Sequence, residues 1–249
     1  MSLDSTILIL IASFLAGAMN AIAGGGTFFS FPALLAIGVP PVMANATNSV
    51  ALWPASLSSA WAYRNELSRH KKRLLLLTLV AFVGGILGSM LLLSIRDEAF
   101  ARLIPWLLLF ATVVFAFSDK ISSLANLHTL SRDKIFHLLT LPALLGVSVY
   151  GGFFGAGLGI LLIAYLLIVE TQSISEANAL KNYLSAVTYS VSVVVFVSAG
   201  AISWQHMLMM LPSATLGGYI GALFAKKISH RLLRWIITIV GFGLSWYYF

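Results

Sequence analysis

The stretch Asn20-Ala-Ile-Ala-Gly24-Gly25-Gly26, followed by an apolar run through Pro32 and Gly38 and then by Ala44-Asn-Ala-Thr47-Asn48, decides how the rest of the chain is read. Three adjacent glycines with a proline close behind do not continue one helix. Glycine costs about 1 kcal/mol in a helix interior and proline about 3 kcal/mol. The surrounding sequence is almost continuously apolar, and at membrane depth backbone freed by a break finds partners only against protein or around a water-filled cavity. The stretch reads as one half of a binding site built from broken helices.

The composition names the solvent. Of 249 residues, 59% are hydrophobic and 9% charged, with a mean hydropathy of +0.96; soluble domains carry about 25% charged residues. A polytopic helical membrane protein in a lipid bilayer is the class that fits. The net charge of +7 does not point to nucleic acid, because the basic residues sit in short connections between apolar runs, as in cytoplasmic loops. Without cysteine there is no disulfide, thiolate metal site or cysteine nucleophile. Ala21-Ile-Ala23 imitates a signal-cleavage site, but only Asp4 precedes it and a basic leader is missing, so cleavage is not expected.

Apolar segments fall near residues 6–23, 26–38, 44–62, 73–94, 100–117, 134–152, 154–169, 178–198, 206–224 and 231–248. The run 26–38 is too short for an upright span, and 134–169 is too long for one helix and is interrupted by Gly151-Gly152 and Gly155-Ala-Gly157-Leu-Gly159. Both 6–38 and 134–169 read as helical hairpins, each followed by three spans. Twelve of the fifteen basic residues lie in 64–73, 118–134 and 226–234, which makes those connections cytoplasmic and puts both termini on the other side. Three spans per half is an odd number, so the halves have inverted topology. Internal matches agree: Val83-Gly-Gly-Ile-Leu-Gly88 with Leu216-Gly-Gly-Tyr-Ile-Gly221, Gly24-Gly25-Gly26 with Gly155-Ala-Gly157, and Ala44-Asn-Ala-Thr-Asn48 with Ala177-Asn178-Ala-Leu-Lys181-Asn182 carrying one extra residue, all 131 to 134 positions apart. Inverted repeats with helices interrupted at corresponding places point to a secondary transporter.

Each hairpin is followed by an unusually polar helix start: Asn45, Thr47, Asn48 and Ser49 in one half, and Asn178, Lys181, Asn182, Tyr183 and Ser185 in the other. Helix amino ends favour anions, amide and hydroxyl side chains add neutral donors, and Lys181 adds a positive charge. The bland alternatives are capping and helix–helix glue for the asparagines and threonine, and snorkelling to the cytoplasmic surface for Lys181. The Gly84/Gly88 and Gly217/Gly221 pairs read as close-packing faces, which also allow a homodimer. Glu170 and Glu176 flank the second hairpin, either as proton-coupling groups or as solvated loop carboxylates. No His-Glu-x-x-His, Gly-x-Ser-x-Gly or Walker pattern occurs, so the chain is read as having no catalytic residues, metal site or cofactor.

Asn20-Ala-Ile-Ala-Gly-Gly-Gly, the Pro32 run with Gly38, and Ala44-x-Ala-Thr47-Asn48 resemble the first repeat of the TauE/SafE family of sulfite and organosulfonate exporters, with a weaker likeness through the second half. The resemblance implies an integral membrane transporter of small sulfur-containing anions such as sulfite, sulfoacetate and other sulfonates, with substrate held near the interface of two inverted repeats. It carries over to Asn20, Gly24, Gly25, Gly26, Pro32, Thr47 and Asn48, and to Gly155, Gly157 and Asn182. Leu180-Lys181-Asn182 departs from the pattern, because family members commonly have a small hydroxyl-containing sequence there.

The expectation is therefore an all-α polytopic protein of the inner cell membrane. Two inverted-topology repeats, 1–117 and 134–249, each hold a broken-helix hairpin plus three transmembrane helices, with a cytoplasmic linker 118–133 between them. The expected function is gradient-driven transport of a small sulfur-containing anion by alternating access. The expected substrate contacts are Asn20, Gly24, Gly25, Gly26, Thr47, Asn48, Gly155, Gly157, Asn178, Lys181 and Asn182. The competing readings are a membrane assembly subunit that moves nothing and a carrier of a different small solute. The shortage of intramembrane carboxylates disfavours cations.

Overall fold

The structure, a computed structural model, describes residues 2–62, 71–117, 134–169, 174–224 and 230–249. Among them are ten α-helices: α1 (Leu3–Ala23), α2 (Thr27–Ala36), α3 (Pro41–Ala62), α4 (Lys71–Ser94), α5 (Asp97–Ala116), α6 (Lys134–Phe153), α7 (Leu158–Val169), α8 (Ile174–Ser198), α9 (Trp204–Phe224) and α10 (His230–Tyr248). Each apolar segment read from the sequence is a helix. Most of the basic connections and Glu170 lie outside the described residues.

The protein is an all-α polytopic membrane protein. The windows Leu3–Ile22, Leu74–Ser94 and Glu176–Ser198 are long and apolar enough to cross a bilayer. The helices turn large apolar side chains outward: Leu79, Phe82, Leu87 and Met90 on α4, and Trp235, Ile239, Phe242 and Trp246 on α10 are all exposed. In water such a surface would aggregate; against lipid it is the expected exterior. The hairpins have unequal arms. Helices α1 and α6 have 21 and 20 residues, whereas α2 and α7 have 10 and 12, so the returning arms cover about half the length at 1.5 Å per residue.

Both hairpins break in the same way. Helix α1 closes on Gly24, whose φ of 78° is left-handed and whose N–H returns to the carbonyls of Met19 and Asn20. Helix α6 closes with Gly155 at φ 75°, its N–H returning to the Tyr150 carbonyl at 3.3 Å. A left-handed residue of this kind costs an ordinary side chain about 1–2 kcal/mol, and glycine avoids it.

The packing follows a pattern of exchange. Helix α1 lies on α9 as α6 lies on α4, α3 meets α9 as α8 meets α4, and α2 touches α10 as α7 touches α5. The pairs α3–α8 and α5–α10 map onto themselves. Helices α5 and α10 run antiparallel: Trp106 stacks edge-on against Phe249 at 4.9 Å, and Thr112 abuts Gly241. Side-chain bonds gather three connections at one end of the bundle. The Asp97 carboxylate accepts from the Val42 N–H at 2.9 Å, and Thr47 Oγ1 accepts from the Ser203 N–H at 3.0 Å.

The glycine pairs serve the two equivalent interfaces. Gly217 lies against the Phe14 carbonyl and Gly221 against the Ala18 backbone, while Gly84 and Gly88 face the α6 backbone around Leu145 and Val149. Backbones this close leave no space for a Cβ. Gly217→Val therefore drives a side chain into immovable backbone, an overpacking cost of about 1–3 kcal/mol. Gly243 is exposed, and a Cβ added there would meet nothing within 4 Å. Thermal unfolding in detergent is expected to show a lower midpoint for Gly217→Val and little change for Gly243→Val.

Candidate functional site

The two breaks meet in the centre of the bundle. Gly24 and Gly159 pack backbone to backbone, so that a Cβ on either would lie 3.2–3.3 Å from the other's Cα. Beside this contact is a small polar cavity lined by Asn20, Gly24, Ser56, Gly159, Lys181, Asn182, Ser185 and Tyr189. Its free space is about 10 Å³, room for about one water molecule. Each half of the chain contributes: α1 and α3 bring Asn20 and Ser56, and α7 and α8 bring Gly159 and the remaining polar groups.

Lys181 decides the electrostatics. It is 4% exposed, and no other lysine, arginine or carboxylate is buried among the described residues. Its ammonium makes no hydrogen bond or ion pair with any described residue, and its burial is not that of a snorkelling lysine, which keeps its head group in water. Its stem lies against Gly159, 3.4 Å from where that residue's Cβ would be. The groups around it are neutral. Asn20 Nδ2 approaches Ser56 Oγ at 3.5 Å, and the Tyr189 hydroxyl donates to the Gly155 carbonyl at 3.2 Å, tying the cavity wall to the second break. An ammonium among amides and hydroxyls is left with its charge uncompensated, which a negative charge beside it would relieve.

Four of the expected contacts line this cavity: Asn20, Gly24, Lys181 and Asn182. The others lie elsewhere. Asn48 is buried and engaged, accepting from the Ser30 hydroxyl and donating to Thr27 Oγ1 at 3.3 Å. Thr47 holds the turn before α9. Gly25 faces Ile237 and Phe28, Gly26 faces the Ala16 carbonyl, and Gly157 faces Ala111. Gly155 supplies the carbonyl that Tyr189 binds. Asn178 is half-buried and not part of the lining.

Ser56, Gly159, Ser185 and Tyr189 line the cavity without being among the expected contacts. A signal for two of them exists in the sequence: Lys181, Ser185 and Tyr189 stand four residues apart, one face of a helix. The repeat register also changes. Gly85 of α4 faces Thr188 of α8 as Gly218 of α9 faces Ala55 of α3, and carrying that spacing back along the two helices pairs Asn48 with Lys181 rather than with Asn182. A larger space of about 760 Å³ between α3, α4 and α8 is lined almost wholly by apolar side chains, including Trp61, Phe82, Ile86 and Val194. It contains no charged side chain, and Thr78, Tyr183 and Ser190 are its hydroxyl-bearing residues.

The sequence profile of the sulfite exporter TauE/SafE family matches residues 9–248. The chain belongs to that family. Among TauE/SafE relatives, a "Probable membrane transporter protein" of Haemophilus influenzae is 27% identical over 98% of this chain and 94% of its own. The "Probable membrane transporter protein ORF9" of a Sinorhizobium species is 26% identical over 95% and 89% respectively. "Probable membrane transporter protein YfcA" of Escherichia coli K12 is 26% identical over 93% and 84%. No solved structure matches the chain.

The isolated charge in this TauE/SafE protein has a consequence for stability. Burying an ion without a partner costs several kcal/mol, and a well-packed apolar replacement is often stabilising by about 1–4 kcal/mol. Lys181→Met is expected to raise the thermal unfolding midpoint in detergent free of sulfur oxyanions. A fall would mean that the lysine holds the fold together instead.

Proposed function

We propose that the protein is a gradient-driven transporter of small sulfur oxyanions or sulfonates in the cell membrane, working by alternating access. One observation carries the reading: the buried, unpaired ammonium of Lys181 in a polar cavity between two helix breaks. The family's name supplies the sulfur oxyanion, and the cavity supplies the need for negative charge. Hydroxyls and amides of Asn20, Ser56, Asn182, Ser185 and Tyr189 are suited to the oxygens of a small tetrahedral head group.

The cavity is too small for such an anion as it stands, so binding requires the helices around Gly24 and Gly159 to part. Because the two halves supply opposite walls, tilting one against the other opens the cavity on one side while closing it on the other. The exchange pattern of the helix contacts and the antiparallel α5–α10 pair support inverted repeats. The gathering of the connections at 37–40, 95–96 and 199–203 supports a common, non-cytoplasmic side for them, shared by both termini.

Flux of labelled sulfite or of a labelled sulfonate into proteoliposomes tests the site. Lys181→Gln and Asn182→Ala, each verified as folded, are expected to reduce it about tenfold or more, as loss of a charge-assisted hydrogen bond does. Undiminished flux in both variants removes the site. A protein that only scaffolds a partner gives no flux and no thermal stabilisation by sulfite or sulfonate. For the topology, cysteines placed singly at positions 40 and 175 of this cysteine-free chain are expected to label from opposite faces of the membrane. Labelling from the same face rules out inverted repeats.

A further inference from the structure

We infer that the site selects anions carrying one negative charge, and that Lys181 is the residue that sets this number. The inference rests on the transport reading above and narrows it. Among the residues lining the cavity, Lys181 alone is charged, and the rest are amides, hydroxyls or glycine. Elsewhere in the buried interior of the described residues no second cation is available to share the load, because every other buried polar side chain is a serine, threonine, asparagine or tyrosine.

The corresponding place in the first half shows that the single charge is a matter of construction. Asn48 stands where the repeat register puts Lys181, and its amide is already bonded to Ser30 and Thr27. One half of the bundle therefore fills its polar position with its own side chains. The other half leaves a cation without a partner. One anionic charge against Lys181 makes the occupied cavity neutral, which is the cheapest state for charges held away from water. A second negative charge arrives uncompensated, and a neutral ligand leaves the ammonium unpaired. Both are penalised for the same physical reason. For sulfite, the species accepted is then hydrogensulfite, and uptake of total sulfite rises as pH falls through the second ionisation of the ligand.

Three tetrahedral sulfur compounds of similar size separate charge from shape: methanesulfonate with one negative charge, sulfate with two and dimethyl sulfone with none. Titration of each into the purified protein in detergent is expected to show methanesulfonate binding about tenfold or more tighter than the other two. In Lys181→Gln the advantage of methanesulfonate over dimethyl sulfone is expected to vanish while the weak binding of the sulfone is retained. A purely structural role for the lysine would weaken all three alike. Sulfate binding as tightly as methanesulfonate, or Lys181→Gln keeping full preference for the single charge, overturns the inference and leaves anion transport standing. Failure of every anion to bind, together with absent sulfite flux, defeats the transport reading itself.

Discussion

Backbone that leaves a helix inside hydrocarbon has to be satisfied by the protein, since no water is at hand to do it. This constraint organises the whole molecule. Each hairpin meets it with a left-handed glycine that sends its N–H back to the carbonyl five residues earlier, Gly24 to Met19 and Gly155 to Tyr150. Further groups are covered from both halves, the Tyr189 and Tyr150 hydroxyls of the same half donating to the Gly155 and Ala156 carbonyls. The Asn45 amide donates to the Phe153 carbonyl at the end of α6 at 2.8 Å, and an aromatic cluster of Phe31, Phe100, Phe153 and Phe154 closes over the second break. The breaks are stable because they face each other, and the polar cavity lies beside that meeting point.

Much of this was legible in the sequence for a simple reason. Helices in lipid need long apolar runs, and glycine triplets with proline interrupt them; both signals are strong and local. The glycine pairs in α4 and α9 were equally legible, since a four-residue spacing of small side chains has few uses other than close packing. The site was only half legible. Asn48 and Lys181 look alike in sequence as polar residues early in a helix after a break, and nothing local says that Ser30 and Thr27 turn back to occupy one of them. Ser56 is reached only through the crossing of α3 and α8, which is tertiary information. The extra residue in the repeat match had a physical answer too. An insertion inside a helix rotates everything after it by about 100°, whereas α3 and α8 present Ala55 and Thr188 to the matching glycines Gly218 and Gly85 without such a shift.

A fold with matched halves need not have matched chemistry, and this one separates the two cleanly. Packing residues are duplicated, with glycine pairs at both long interfaces and the same closure at both breaks. Charge is not duplicated. Doubling Lys181 at the position of Asn48, which is 2% exposed, would bury a second ammonium in the same bundle, and like charges in a low-dielectric interior repel by several kcal/mol. With one cation on one side and a self-satisfied amide on the other, the exchange of the halves is preserved in packing while the proposed site keeps a single positive charge. That charge lies on α8, which packs against α3, α4, α6 and α7. Lys181 therefore sits on a helix in contact with helices from both halves of the chain, so under the proposed alternating access a change in its charge balance would reach both halves at once.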